Sequence, residues 1–380
     1  MALIKVNNRS SEDTAIHGRR NLIINGAMQV AQRGTSYTQG PNVGNYHTVD
    51  RYSYRRSGAW SGVTAVELTQ ESSGGPVSFK NFLRYAPTGS DATTPNNACM
   101  LIDYKVEGKD ISQLEYGTSN AKSITISFYV RASVTGTFCL NIRNDDANRQ
   151  YVKEYTINSA NTWERKELTF PGAPSGTWDE DNTTGLVLMW FLSGDTDSPS
   201  ETGRLVTGNQ WNNSVTTNTY TSNQSDALTK TSGNTFDITG IQLEKGNTAT
   251  PFEHRSFGEE LSLCQRYYET SFEGGASTTN SNQAGVVSAG GLTMTNTTSF
   301  IGMTRVDYKV SKRAAATVTY YDFASPRNTG KGHRFQLGST AHNNSNVTIA
   351  DNSISGFNTY STGTGAGSGL AFHYEATSEL

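Results

Sequence analysis

A run of carboxylates beside an aromatic is the grouping in this chain most suggestive of a reaction. Trp178 is followed by Asp179, Glu180 and Asp181, and Asp195 and Asp197 lie beyond the apolar run Leu186–Leu192. Two carboxyl groups flanking a sugar ring are what glycoside hydrolysis requires, one as acid and the other as base or nucleophile. These acids sit among Gly, Asn and Thr, however, where short polar side chains usually serve turns by bonding nearby backbone. The turn reading is preferred. The six histidines show no HExxH spacing, and there is no GxSxG nucleophile elbow. No catalytic residue is assigned, no cofactor is called for, and the chain is expected not to be an enzyme.

Non-covalent recognition is the alternative chemistry. Sugars present apolar C–H faces, which flat aromatics can cover while carboxylates and amides bond the hydroxyls. Trp60, Trp178 and Trp211 each lie in polar, loop-like sequence, and Asp179 and Asp181 stand beside the second of them. These five are the candidate ligand-binding residues. The competing reading of each loop Trp is a plug over the end of a β-structure. Trp163 and Trp190 lie in strand-like sequence and are read as core. Loops such as Asn144–Asp146 or Asp179–Asn182 could supply oxygens to calcium, but no EF-hand spacing supports them, so no metal is assigned.

Composition sets what must position such residues. The 380 residues are enough for two or three domains. Only 17% are charged and 34% hydrophobic, yet 18 Tyr, 15 Phe and 5 Trp argue against disorder and for packed strands. The net charge is −3 with no basic stripe, so nucleic acid is not an expected partner. The three cysteines, Cys99, Cys139 and Cys264, are too few and too widely spaced for a disulfide framework, and folding in a reducing cytoplasm is expected. The N-terminus lacks the apolar core of a signal peptide, and no apolar run reaches the roughly 18 residues of a membrane helix.

Periodicity gives an all-β class. Ile124, Ile126, Phe128 and Val130 share one face of a strand. Thr137–Ile142 follows after a loop, and the two are expected to pair as a hairpin, with Tyr151–Ile157 and Trp163–Phe170 continuing a meander. Leu186–Leu192 is apolar on both faces, as for a central strand covered on both sides. In Phe236–Gly246, Phe236 and Ile238 share one phase and Ile241 and Leu243 the other, which places a β-bulge at Gly240. Lys245–Asn247 supplies a turn, and Pro251 keeps Thr250 extended. One helix is expected over residues 256–269. Ser256 and Glu259 match a capping box, and Phe257, Leu261, Cys264 and Tyr268 form an apolar stripe. That stripe is read as inter-domain packing or as a contact between copies. Residues 270–380 open on a linker-like run and form a second β-domain, with strands at Phe300–Tyr308, Ala316–Phe323, Gly332–Leu337 and Leu370–Tyr374. Residues 1–20 hold one short alternation, Leu3, Ile4 and Val6, and are read as an arm that orders on docking. The divisions are thus 1–20, 21–255, 256–269 and 270–380.

Several segments resemble one protein lineage. Phe236–Tyr268 resembles segments of bacteriophage tail-fibre and related virion appendage proteins. So do Asn21–Thr38 with Val49–Tyr54, where Ala31 and Tyr52 stand in place of the family's commoner Trp, and Ser311–Gly330 and Ala371–Leu380. The resemblance implies a jelly-roll-like sandwich akin to carbohydrate-binding modules, one connecting helix and a smaller distal β-sandwich or β-domain. It implies attachment to other phage structural proteins through the N-terminal arm, a homotrimer, recognition of host cell-surface glycan and a place on the virion. A capsid, head-fibre or tail decoration protein with a purely structural role is the alternative, and a glycan-degrading tailspike a lesser one. Neither heptads nor stacked repeats for a long shaft or β-helix are visible.

Overall fold

The computed structural model describes residues 19–40, 45–196, 204–213, 218–272, 285–289, 300–323, 327–336, 342–362 and 368–380. Leu3, Ile4 and Val6, Asp197 and most of the linker-like run after residue 272 lie outside them. The chain divides into two compact units. Unit 1 holds the residues up to Gln29, then Ser36–Arg255 and Leu380, and unit 2 holds Val30–Thr35 and Ser256–Glu379. The all-β class is borne out.

The strands of unit 1 are, in chain order, β1 (Ser36–Gln39), β2 (Asn45–Tyr46), β3 (Tyr52–Ser57), β4 (Ala65–Glu71), β5 (Phe82–Thr88), β6 (Cys99–Glu107), β7 (Ile124–Ala132), β8 (Gly136–Arg143), β9 (Gln150–Ile157), β10 (Glu164–Phe170), β11 (Thr184–Gly194), β12 (Trp211–Asn212) and β13 (Phe236–Lys245). They form two antiparallel sheets, β1-β4-β5-β13-β7-β10 and β12-β9-β8-β11-β6-β3-β2. The chain passes repeatedly from one sheet to the other, as in a jelly roll. Between the sheets lies one core, with Ile126, Phe128 and Val130 of β7 and Leu188, Trp190 and Leu192 of β11 among its members. Each such side chain contributes roughly 1.5–3 kcal/mol by leaving water.

Two strand expectations hold. β11 is central and buried along its whole length: Leu186, Leu188 and Trp190 face the inter-sheet core, whereas Val187, Met189 and Phe191 join a second cluster with Cys99, Cys139 and Tyr220 on the other face. β13 carries the bulge. Its register against β7 jumps between Thr239 and Gln242, Gly240 has φ +62°, and Phe236, Ile238, Ile241 and Leu243 all reach the same core. The segment after Arg20 lies beside this strand, Leu22 N–H donating to Leu243 O at 2.9 Å and Arg255 Nη1 donating to Ile23 O at 2.9 Å. The two segments that carry the strongest resemblance are therefore joined in space.

The expected hairpin is corrected. β7 pairs with β13 and β10 in the first sheet, while β8 pairs with β9 and β11 in the second. The short link at residues 133–135 passes from one sheet to the other instead of turning within a sheet. Strand alternation states which face is apolar; it does not name the partner strand.

Unit 2 is also built of strands: β14 (Tyr268–Thr270), β15 (Val287–Ala289), β16 (Phe300–Asp307), β17 (Thr317–Tyr321), β18 (Lys331–Gln336), β19 (His342–Asn346), β20 (Thr348–Ala350), β21 (Gly356–Thr362) and β22 (Ser368–Thr377). β22 pairs with β14, β15, β17 and β18, and β16-β21-β20 form a second sheet. Val306, Phe357, Leu370, Phe372 and Tyr374 anchor the core. The helix at its start runs Phe257–Gln265, shorter than expected. Ser256 caps it, its Oγ accepting from Glu259 N–H at 3.2 Å. Tyr268 is not on the helix stripe: the chain has already turned into β14, where Tyr268 is buried. Phe257 is 56% exposed, Leu261 partly buried and Cys264 buried. Among the described residues the three cysteines are buried and in no disulfide, and no helix is long and apolar enough to cross a membrane.

Candidate functional site

The residues singled out by sequence fall in different places. Trp178 and Trp211 come together, ring centroids 6.0 Å apart, with Tyr116 at 4.7 Å from Trp178 and Tyr151 at 5.3 Å from Trp211. Their indole N–H groups donate to Ser175 O and Gly172 O. This edge-to-face nest closes one end of the sandwich. Trp60 packs apart from it, its Nε1 donating to Ser57 O at 2.8 Å. Trp60 and Trp178 are each only 8% exposed, which leaves no free ring face for a sugar to cover. The plug reading thus describes these rings.

Asp179 and Asp181 are exposed. Asp181 Oδ1 accepts from Thr183 N–H at 2.7 Å, an Asx turn, and the bonds from the Thr183 hydroxyl and amide hold its carboxyl below the usual range. Partial desolvation, then Asp181, Asp146 and Asp145, push the Asp179 carboxyl up. Asn144 spends its side chain on Asn148 and Thr177 O. Among the described residues no group of three or more His, Cys, Asp or Glu side chains is placed to hold a metal.

A different site is built around the bulge of β13. Gly240 has no side chain, and a Cβ there would stand 2.7 Å from the Phe79 ring and 3.0 Å from that of Tyr129. The bulge therefore lets Phe79 lie against the outer face of the sheet. Ser127 and Tyr129 point outward from β7, opposite in phase to Ile126 and Phe128. Beyond the bulge the outward residues of β13 are Gln242 and Glu244, both buried. They pin the segment that follows the turn. Glu244 accepts from Thr250 N–H at 2.9 Å and from its hydroxyl at 2.7 Å, and Gln242 Oε1 accepts from Glu253 N–H at 2.8 Å. Held extended in this way, the segment presents Phe252 and His254 on one side.

Phe79, Tyr129, Phe252 and His254 then form one aromatic cluster. Phe79 lies 5.3 Å from Tyr129, 4.9 Å from Phe252 and 5.4 Å from His254, and Phe252 lies 4.9 Å from His254. They line an open groove of about 460 Å³, within the range of small-ligand sites. Phe79 is its buried floor, Tyr129 and Phe252 are half-buried and His254 is exposed. Val77, 89% exposed, stands at its lip. Arg165 reaches in from β10, its Nη2 donating to Thr250 O at 3.1 Å and its Nη1 paired with Glu167. Such a groove can cover a flat apolar face, bond hydroxyls and meet a negative charge.

Sequence reading missed this site. Its lining comes from five separated stretches, each ordinary alone. The one local signal is the alternation of Phe252 and His254 after Pro251.

The fold defines a class, an antiparallel jelly-roll sandwich with a second β-unit. No protein-family model and no curated protein matches the chain. Among solved structures it is similar to the enzymatically active domain of tailspike protein 4 of bacteriophage CBA120, at 10% identity and a TM-score of 0.31, over 60% of this chain and 21% of that one. It is also similar to a family 11 carbohydrate-binding module from Clostridium thermocellum in complex with a mixed-linked tetrasaccharide, at 14% identity, TM-score 0.28, 57% of this chain and 98% of that one. A family 22 carbohydrate-binding module of Clostridium thermocellum Xyn10B gives 11%, 0.29, 62% and 99%. At these scores the likeness carries no ligand or activity over to this chain.

Proposed function

We propose that unit 1 is a non-covalent glycan-binding module of a bacteriophage virion appendage, a tail-fibre or receptor-binding component, and that the groove over the Gly240 bulge is its binding site. The observation that carries the reading is the cluster Phe79, Tyr129, Phe252 and His254, rings held in contact along an open groove. Aromatics in a shaped groove suit the C–H faces of sugars. Among the described residues no carboxylate side chain lines the groove, and binding without bond cleavage is the function we propose for it. The appendage assignment rests on the resemblance of Asn21–Thr38 and Phe236–Tyr268 to virion proteins. Several copies on one particle would multiply weak contacts into firm adhesion.

The test is binding of the purified protein to host cells and to their extracted envelope polysaccharide. Wild-type protein should bind, and Tyr129→Ala with Phe252→Ala should lose binding while melting as a folded protein. Failure of wild type to bind either material rejects the receptor-binding reading and leaves a decoration protein in its place. Shortening of the polysaccharide rejects the non-enzymatic assignment.

A further inference from the structure

The charged groups of the groove are one-sided. Arg165 lines it, with His254 and the hydroxyl residues Ser78, Ser127, Tyr129 and Thr250, and among the described residues no Asp or Glu side chain does. The acids that flank it in sequence are committed elsewhere. Glu244 is 2% exposed and holds Thr250. Glu253 accepts from the Arg20 and Asn21 amides at 3.3 and 2.7 Å. Asp237 is clasped by Arg84 and Arg131 at 2.8 and 2.7 Å. A carboxylate only accepts, and a planar guanidinium matches it.

Arg165 is also placed to receive a ligand. Its bond to Thr250 O fixes the guanidinium at the groove, and its remaining partner, Glu167, is a surface acid with a side chain 48% exposed. An exposed pair of this kind is weak and readily exchanged. Glu167 thus holds the place that a ligand carboxylate would take.

We propose that the groove takes an acidic glycan, with a sugar carboxylate received by Arg165 and the ring faces covered by Tyr129 and Phe252. This deepens the glycan-binding reading and rests on it. The experiment is a titration of the full chain at physiological salt with acidic oligosaccharides (oligogalacturonate, oligoalginate, a sialylated oligosaccharide and hyaluronan fragments) and with the carboxyl-reduced, neutral form of each. At least one acidic form should bind about tenfold or more tighter than its neutral counterpart, the loss of one charge-assisted bond. Arg165→Met should abolish that difference with an unchanged melting temperature, Arg165→Lys should restore part of it, and Glu167→Gln should tighten acidic binding. A purely structural Arg165 would not give the Glu167→Gln gain. Equal binding of acidic and neutral forms, or binding of neutral forms alone, overturns the acidic assignment and leaves the glycan reading intact. No binding of any oligosaccharide removes both, as does capture of an acidic peptide with the same Arg165 dependence.

Discussion

At the scale of residues, the chain spends buried charge on structure. In unit 2 Glu269 and Lys312 form an ion pair at 2.7 Å with both side chains fully buried, and Tyr374 donates to the same carboxylate at 2.7 Å. Removing one partner strands the other charge in the interior. Glu269→Ala should cost about 3–5 kcal/mol in denaturant unfolding of unit 2, and Lys312→Met added to it should recover part of the loss. Glu164 gives a prediction in pH. Partial burial alone would raise its carboxyl, but the Lys166 ammonium and the N–H groups of Ser159 and Asn158 outweigh it and bring it from 4.5 down to about 2. A group held lower in the folded state stabilises fully above its unfolded value and loses that contribution as pH falls toward the folded one. Urea midpoints should therefore decline between pH 4.5 and about 2 more steeply for wild type than for Glu164→Gln. At this scale the sequence singles out tryptophans in polar segments, and the structure packs Trp60 and Trp178 into the fold. A Trp in polar sequence reads as exposed, yet Trp178 is buried with the half-buried Trp211 packed edge-to-face on it, a pairing between distant segments that no local pattern encodes.

At the scale of elements, what sequence could state was what a strand does within its own length. The double-faced burial of β11 and the phase change of β13 are both one-strand properties, and both were legible. Pairing was not. β7 and β8 lie on opposite sides of the core because each has one apolar face, and two such faces can meet across a sandwich as well as align in one sheet. The groove was hidden for a related reason: it exists where the bulge, the Phe79 loop and the pinned segment after Pro251 converge. Gly240 is the hinge of that convergence. Gly240→Ala must adopt φ +62° and displace Phe79 or Tyr129, at a cost of about 1–3 kcal/mol, and should weaken glycan binding with it. Denaturation and binding measured on the same variant check both effects. At the helix, Ser256→Ala removes the bond to Glu259 N–H and should cost about 1 kcal/mol.

At the scale of the whole molecule, the described residues form two β-units, one carrying a groove and the other a buried ion pair. The proposed docking arm, trimer and virion location belong to this scale and are tested there. Particles assembled with a chain lacking residues 1–20 should omit the protein although the truncated chain still folds; normal incorporation would remove the arm. Glycan is proposed to be met over the Gly240 bulge and not at the packed tryptophans. Hydrogen–deuterium exchange with and without bound host polysaccharide tests it most directly. Protection is predicted at residues 77–79, 127–131 and 249–254, with residues 60, 178–181 and 211 unchanged. Protection confined to the latter positions would contradict the account.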